Sequence, residues 1–409
     1  MKKDNWFAEA RFGLFIHWGL YSIPAAGEWI YARRNWHKHE YENLMHQFNP
    51  VHFAPAQWAR LARTAGMKYV VFTTRHHDGF CMFDSHYTDY KITNTPYRKD
   101  VTRMLVEAVR AEGLRIGFYH SLPDWTHPGY ADPETPEFIL HKKLHTPTPE
   151  QHLAFQELLY CHLEQLMTEY GKIDLLYLDY TSRFKAGVDY FGRDRLLDMI
   201  YGHQPEILVN DRLAYLKNDV RDFDYYTPEV CMMNQPLRVK EKEVLWETSA
   251  TINDHWGYFK GDDNYKDAET ITAAVMGCVS QNGNLLLNIA PDAEGNLDSG
   301  VIRTLNRLSE WNKCHQEAVF ACGKSLFTSP FGCCYTQRGN VIYCYLLVCP
   351  VGDIILPELR KRIQRITLLR TGDEIELIND WGRELLNPND QRIRPRGVQV
   401  GDVLKIVLK

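Results

Sequence analysis

The sequence lacks an excess of basic residues, a long apolar run and a cysteine pattern that indicates a metal site. Lysine and arginine number 47 against 52 aspartates and glutamates, whereas nucleic acid and anionic membranes select a strong positive excess. No window approaches the ~18 consecutive apolar residues of a membrane-spanning helix. The 10 cysteines include no Cys-x-x-Cys pair, and the N-terminus lacks the apolar stretch of a secretory signal. We therefore expect reduced thiols in a cytoplasmic protein with no nucleic-acid or membrane partner.

A glycine-rich dinucleotide-binding turn is also missing after every predicted strand, which disfavours the rival doubly wound open sheet. Short apolar runs instead alternate with longer amphipathic ones, a pattern typical of βα units around a parallel sheet. The predicted strands are Phe12–His17, Tyr69–Thr74, Arg115–His120, Leu175–Asp179, Ile207–Asp211, Asp224–Thr227, Val244–Glu247 and Asn284–Ile289. Asp100 and Asp267 are predicted N-caps of two intervening helices. We therefore predict an α/β fold with a catalytic (β/α)8 TIM-like barrel over residues 1–325.

The sequence after Phe327 has a different character. Short alternating strands are separated there by turn signals such as Thr371-Gly372-Asp373. This pattern predicts a small C-terminal all-β sandwich over residues 326–409.

Polar and aromatic residues follow strand after strand of the predicted barrel, and such positions converge at its C-terminal mouth. Asp179 ends a very apolar run that begins at Ile173. A carboxylate there is costly unless it is hydrogen-bonded, for example as the cap of the next turn, or functional. Glu229 and Glu247 end later predicted strands and could face Asp179 across the mouth. Two carboxylates flanking one bond are what retaining glycoside hydrolysis requires.

Aromatic and histidine residues leave two further interpretations open. The 18 Phe, 23 Tyr and 10 Trp residues fit either a sugar-stacking site or large aromatic cores. A metal-dependent hydrolase could draw its ligands from His17, His76, His77, His120 and Asp179. However, His76 and His77 are adjacent, so on a strand they point to opposite faces. Histidines that hydrogen-bond sugar hydroxyls fit the same residues without an ion.

Five long motifs, in order along residues 5–325, resemble the α-L-fucosidases of glycoside hydrolase family 29. They are Phe12–Gly19, Lys68–Phe80, Trp246–Thr248, Ile252–Tyr258 and Gly283–Pro291. The resemblance implies a barrel followed by a β-sandwich. It also implies a retaining exo-fucosidase that releases terminal L-fucose from fucosylated oligosaccharides or glycoconjugates and needs no metal or other cofactor.

The resemblance assigns individual residues as well. The family's nucleophile matches Asp179, here in Tyr177-Leu178-Asp179 where the family usually has Trp-Phe-Asp. The family's fucose pocket matches His17, Glu28, Trp29, His76, His77, Tyr119, Arg212 and Trp256.

The acid/base varies in position across the family. One subgroup places it in a Thr-Pro-Glu segment, which matches Thr227-Pro228-Glu229 and favours Glu229. Glu247 is the alternative acid/base and is otherwise expected to support the substrate pocket. The same subgroup tends to prefer branched α-1,3/1,4-linked fucose, so the resemblance implies that preference here. A non-catalytic fucose-binding protein is the other alternative, and the presence of both Asp179 and Glu229 argues against it.

Overall fold

The computed structural model describes residues 6–131, 146–179, 189–213, 223–379 and 387–409. The strands in these ranges are, in chain order, β1 Phe12–Ile16, β2 Tyr69–Arg75, β3 Arg115–Ser121, β4 Leu175–Asp179, β5 Leu208–Val209, β6 Arg238–Val239, β7 Lys242–Glu243, β8 Glu247–Thr251, β9 Asn284–Ile289, β10 Gly323–Lys324, β11 Cys333–Arg338, β12 Val341–Leu346, β13 Ile354–Leu356, β14 Ile363–Leu368, β15 Glu376–Ile378, β16 Gln391–Arg394 and β17 Val403–Leu408. The helices are α1 Trp6–Ala10, α2 Ile30–Arg33, α3 Lys38–Glu42, α4 Pro55–Thr64, α5 Val101–Ala111, α6 Pro149–Glu169, α7 Arg193–His203, α8 Ala268–Ser280 and α9 Ser299–His315.

One parallel sheet forms the larger part of the chain, with strand order β5-β4-β3-β2-β1-β9-β8. Its central strands β1, β2 and β9 are buried along their whole length and mostly apolar. Helices cover the outer face of the sheet and side chains fill the inner one. Its two edges are joined by single parallel bridges, Asn210 to Tyr225 and Tyr226 to Trp246. The predicted TIM-like barrel is confirmed, with the expected strand Asp224–Thr227 reduced to these two bridges.

The strand expected at Val244–Glu247 was placed too early in the chain. The observed strand β8 begins at Glu247 and runs to Thr251. The apolar residues 244–246 follow the short hairpin formed by β6 and β7. Of these three, Trp246 forms the bridge to the barrel. Consequently Glu247 lies at the start of its strand, far from the end where the mouth opens.

Side-chain caps fix the start of two barrel helices as predicted. Asp100 accepts a hydrogen bond from the Arg103 backbone N–H at 2.9 Å, where α5 begins. Asp267 accepts one from the Thr270 N–H at 2.7 Å, where α8 begins. Each carboxylate satisfies an N–H group that the helix leaves unpaired.

No helix in the described ranges has the length and apolar character needed to cross a lipid bilayer.

Two antiparallel sheets form the C-terminal part, in the orders β10-β11-β12-β17-β14 and β13-β16-β15. Their inner faces share an apolar core to which Ile342 and Leu404 contribute from one sheet and Leu356 and Ile393 from the other. This arrangement is the predicted β-sandwich. It packs on α8 of the barrel, where the Tyr345 hydroxyl lies 2.8 Å from the Thr272 hydroxyl.

Candidate active site

A cavity of about 650 Å³ opens at the C-terminal ends of the barrel strands. It is lined by Phe15, His17, Glu28, Trp29, His76, His77, Tyr119, Tyr177, Asp179, Arg212, Glu229, Ser249 and Trp256. Of the site residues named from the sequence, Glu247 and the candidate metal ligand His120 are not in this set. His120 is buried beside the Thr74 hydroxyl instead. The barrel topology therefore brings together side chains that are spread over more than half of the chain.

Asp179 ends β4 and receives hydrogen bonds on both carboxylate oxygens. The Tyr119 hydroxyl donates to Oδ2 at 2.8 Å, and the Arg212 guanidinium donates from Nη1 to Oδ1 at 3.1 Å. The His77 Nε2 atom lies 3.8 Å from Oδ2. Charged and neutral donors together stabilise a carboxylate in one orientation, with its oxygens at the cavity wall.

Glu229 lies on the opposite side of the same guanidinium. Arg212 Nη2 donates to Glu229 Oε2 at 3.1 Å while Nη1 holds Asp179. The Glu229 side chain is 46% exposed, against 19% for Asp179. Of the two carboxylates, Asp179 is therefore the deeper one and Glu229 lies at the rim.

His17 is held by a residue that sequence reasoning did not include in the site. Its Nδ1 lies 2.6 Å from the amide oxygen of Asn288, whose amide nitrogen donates to the Trp256 carbonyl at 2.7 Å. Because the amide oxygen can only accept, His17 carries its proton on Nδ1 and presents Nε2 to the cavity as an acceptor. Burial lowers the pKa of His17 to about 3, so the ring is neutral.

The other two histidines are also neutral. Burial, together with the neighbouring Arg75 guanidinium, lowers the pKa of His77 to about 3. Burial and the adjacent rings lower the pKa of His76 well below its usual value. The His76 ring stacks on Tyr119 at 5.7 Å between centroids, and Trp29 meets His77 edge-on at 5.7 Å. Both imidazoles are therefore fixed in orientation by aromatic neighbours and carry no charge.

Glu28 is positioned where the loop after β1 meets the loop after β8. Its Oε2 accepts the backbone N–H of Gly257 at 2.9 Å, and Gly27 N–H donates to the Tyr258 carbonyl at 3.1 Å. A Cβ at Gly257 would lie 2.7 Å from the Glu28 nitrogen, so only glycine permits this approach. The same junction places the Trp256 ring 5.3 Å from His17.

Three lining residues were missed by sequence reasoning: Phe15, Tyr177 and Ser249. Phe15 and Tyr177 form an aromatic floor with Tyr119, with ring centroids 5.4 to 5.8 Å apart. Phe15 precedes the predicted site residue His17 by two positions, and Tyr177 precedes Asp179 by two. Because side chains two apart on a strand point to the same face, this alternation could have predicted both residues. Ser249 was missed because its strand was placed too early.

Glu247 does not line the cavity, and the expectation that it faces Asp179 is corrected by its position in the strand. It lies in the barrel interior near the strand starts, 1% exposed, and its Oε2 accepts a hydrogen bond from the Tyr69 hydroxyl. Its Oε1 has no partner among the described residues. Burial raises the pKa of Glu247 to about 8.

The described lining residues combine one guanidinium, three carboxylates, neutral imidazoles and apolar rings. This donor and acceptor set suits a neutral, polyhydroxylated ring with an apolar face, and Asp179 and Glu229 place two carboxyl groups beside it. In the parts of the chain that the structure describes, no three His, Cys, Asp or Glu side chains are grouped to hold a metal ion.

Comparison with known proteins matches one family along the barrel. The family model described as α-L-fucosidase matches residues 1–317. The structure of α-L-fucosidase isoenzyme 1 from Paenibacillus thiaminolyticus is 34% identical over 100% of this chain and 99% of its own, with a TM-score of 0.92. A Bacteroides thetaiotaomicron α-L-fucosidase, trapped as a covalent intermediate, is 26% identical over 98% of this chain and 95% of its own, with a TM-score of 0.85. Human tissue α-L-fucosidase is 29% identical over 92% of this chain and 82% of its own.

Proposed function

This chain belongs to the α-L-fucosidase family of glycoside hydrolases, and on that premise we propose that it releases terminal L-fucose with retention of configuration, using Asp179 as nucleophile and Glu229 as acid/base. One observation carries the assignment: Asp179 and Glu229 line the same cavity and bind opposite nitrogens of one guanidinium. The covalent intermediate trapped in the related Bacteroides thetaiotaomicron enzyme supports retention.

The first step of the proposed reaction forms a fucosyl-enzyme. An Asp179 oxygen bonds to the anomeric carbon as the bond from that carbon to the glycan oxygen breaks. Glu229, protonated at this stage, gives its proton to the departing oxygen. The deeper position of Asp179 and the rim position of Glu229 match these roles, because the nucleophile must reach the sugar ring and the acid must reach the leaving group.

The second step releases the sugar. Glu229, now a carboxylate, accepts a proton from water while the water oxygen bonds to the anomeric carbon. The bond to Asp179 breaks and its electron pair returns to the carboxylate. Tyr119 and Arg212 stabilise that carboxylate through the hydrogen bonds that they make to it in the free protein.

The remaining lining residues bind the fucosyl ring in this proposal. The acceptor Nε2 of His17, the carboxylate of Glu28 and the neutral imidazoles of His76 and His77 hold ring hydroxyls. The apolar face of Trp256 lies beside His17 and contacts the C5 methyl group that distinguishes fucose from most hexoses.

The linkage preference is proposed from the segment that carries the acid/base. Thr227-Pro228-Glu229 resembles the subgroup that acts on branched α-1,3/1,4-linked fucose, and the exposed Glu229 side chain leaves space for a branched leaving group. A panel of linkage-defined fucosylated oligosaccharides, with free fucose measured over time, tests this. Faster release from α-1,2-linked substrates would contradict it.

The assignment is tested by hydrolysis of an aryl α-L-fucoside followed by NMR of the first-formed sugar. We expect α-L-fucose from the wild-type protein and a loss of at least about 10³-fold in Asp179→Gly. Glu229→Gln is compared with Glu247→Gln, the same substitution on a barrel carboxylate outside the cavity, and only the first should lose activity. First-formed β-L-fucose, or near-normal turnover by Asp179→Gly, contradicts the proposal. Calorimetric binding of fucose without hydrolysis would indicate a fucose-binding protein instead.

A further inference from the structure

Most N–H groups of the Arg212 guanidinium already donate to other groups of the protein. Its Nε donates to the Thr227 hydroxyl at 3.0 Å, and its Nη2 donates to the Thr227 carbonyl at 3.2 Å and to Glu229. Nη1 donates to Asp179. A guanidinium has five N–H groups, so little of its donor capacity is left for a sugar hydroxyl.

Thr227 fixes the position of that guanidinium. The Thr227 hydroxyl and backbone N–H both donate to Asp211 Oδ1, at 2.8 and 3.0 Å. Asp211 and Arg212 are neighbours in a short 3₁₀ turn that follows β5. The segment that carries Glu229 is thereby tied to the turn that carries Arg212, and the cation is held in place between the two carboxylates.

We propose that Arg212 is a positioning residue that couples the protonation of Glu229 to the charge on Asp179, an inference that rests on the proposed function. The proposed first step needs a proton on Glu229 while Asp179 is charged, and the guanidinium contacts both side chains. In the fucosyl-enzyme Asp179 is a neutral ester, so the whole positive charge acts on Glu229 and favours its carboxylate form. The same side chain is therefore an acid in the first step and a base in the second.

The charge balance is the same in both stages. In the first step the leaving oxygen takes the proton of Glu229 as Asp179 bonds to the sugar, so one negative charge moves from Asp179 to Glu229. In the second step water gives its proton to Glu229, and the broken ester returns the charge to Asp179. Arg212 thus faces one negative charge from the pair Asp179 and Glu229 throughout, and the Asp211 carboxylate is unchanged in both steps.

Besides Asp179 and Glu229, the Asp211 carboxylate also stabilises the Arg212 guanidinium, and its contribution is the same in both steps because it takes no part in the reaction. The remaining described groups at this triad are uncharged at neutral pH. The Tyr119 hydroxyl and the His77 ring face Asp179, and the Tyr177 hydroxyl lies 3.5 Å from Arg212 Nη2. Burial lowers the pKa of His77 to about 3, and burial, with the nearby carboxylates, raises the pKa of both tyrosines. Glu247, deeper in the barrel, is protonated at neutral pH because burial raises its pKa to about 8.

The experiment compares Arg212→Met and Arg212→Lys with the wild-type protein on an aryl α-L-fucoside, with and without azide. In Arg212→Met we expect both limbs of the pH profile of kcat/KM to move upward by about one unit, because both carboxylates lose a stabilising cation. The second step should become slow, giving a burst of the phenol. Azide needs no general base, so it should raise turnover by about tenfold or more. Arg212→Lys keeps the positive charge but loses the planar guanidinium with its fixed donors. Its pH profile and azide response should therefore lie between those of the wild type and Arg212→Met.

A rise in KM with unmoved pH limbs and no azide effect would overturn the inference and make Arg212 a sugar ligand alone. If Arg212→Met does not fold, Thr227→Val supplies a milder test, because it removes the hydroxyl that accepts from Nε and donates to Asp211 while keeping side-chain shape. In Thr227→Val the pH profile and the azide response should change in the same direction as in Arg212→Met. Thr227→Ser, which keeps the hydroxyl, should be close to wild type. Unmoved pH limbs in Thr227→Val would then count against the coupling. Failure of the wild-type protein to release fucose would instead overturn the proposed function.

Discussion

Replacement of Glu247 by glutamine is the most informative perturbation outside the cavity. The carboxyl group is fully buried, accepts a hydrogen bond from the Tyr69 hydroxyl, and has its pKa raised by burial to about 8 from an ordinary value of 4.5. Between these two values the folded protein holds a proton that the unfolded chain has lost. Folding stability therefore falls as pH rises through this window.

The size of this change in folding free energy follows from the difference between the two pKa values of Glu247. At 1.36 kcal/mol per pH unit, the difference between 4.5 and about 8 corresponds to an upper bound of roughly 5 kcal/mol. Below pH 4.5 the contribution is constant, and above about pH 8 the full loss has occurred. Glu247→Gln keeps the side-chain shape and cannot titrate, so it removes this pH dependence.

The assay is urea unfolding of wild type and Glu247→Gln at pH values from 5 to 9. We expect the wild type to lose stability relative to the variant by up to about 4 kcal/mol over this range. Activity on an aryl α-L-fucoside should stay within about twofold of wild type, since Glu247 lies outside the cavity. If the unfolding free energies of the two proteins change with pH in parallel, the inference that Glu247 is buried and protonated is wrong. A loss of activity of 100-fold or more in Glu247→Gln would show that Glu247 takes part in the reaction.

Three further substitutions test the cavity. Glu229→Ala should slow substrates with poor leaving groups far more than aryl fucosides, and azide should restore part of its activity; equal slowing of both would exclude it as the acid. Asn288→Ala should lower kcat/KM by about 10- to 100-fold, because His17 loses the acceptor that fixes its tautomer; an unchanged value would show that this hydrogen bond is not needed. Gly257→Ala should raise KM for fucose-containing substrates by displacing Glu28, and wild-type KM would show that the two loops can separate without cost.

Much of the barrel was predictable because its strands are buried on both faces. Apolar runs such as those of β2 and β9 stand out between amphipathic helices, and polar residues at their ends indicate the mouth. His17, Asp179 and Arg212 were found in this way and lie together in the cavity. The resemblance to a known family supplied their expected roles, which local pattern alone does not contain.

The error at Glu247 has a physical cause in the composition of β8. That strand is Glu-Thr-Ser-Ala-Thr, whereas the apolar residues 244–246 precede it. Polar side chains are tolerated in β8 because they are hydrogen-bonded: Thr248 accepts from the Cys231 N–H at 3.2 Å and Thr251 donates to the Asn253 carbonyl. A pattern of hydrophobicity does not reveal these hydrogen-bond partners.

Asn288 was missed as a site residue for a related reason. It lies opposite Phe15 in the pairing of β1 with β9, which brings it to His17 although 271 positions separate the two residues. Only the closure of the barrel creates that contact. Its role in setting the His17 tautomer is therefore a property of the fold and not of any local motif.

Identification of the nucleophile tests the central claim most directly. A 2-fluoro-fucosyl fluoride slows both steps and leaves the sugar bound to the attacking residue, which mass spectrometry of the intact protein and of its proteolytic peptides can locate. The account requires one added 2-fluorofucosyl group per chain, attached to the peptide that contains Asp179 and absent in Asp179→Gly. A label on another residue, or turnover of the wild type with no covalent species under trapping conditions, would contradict it.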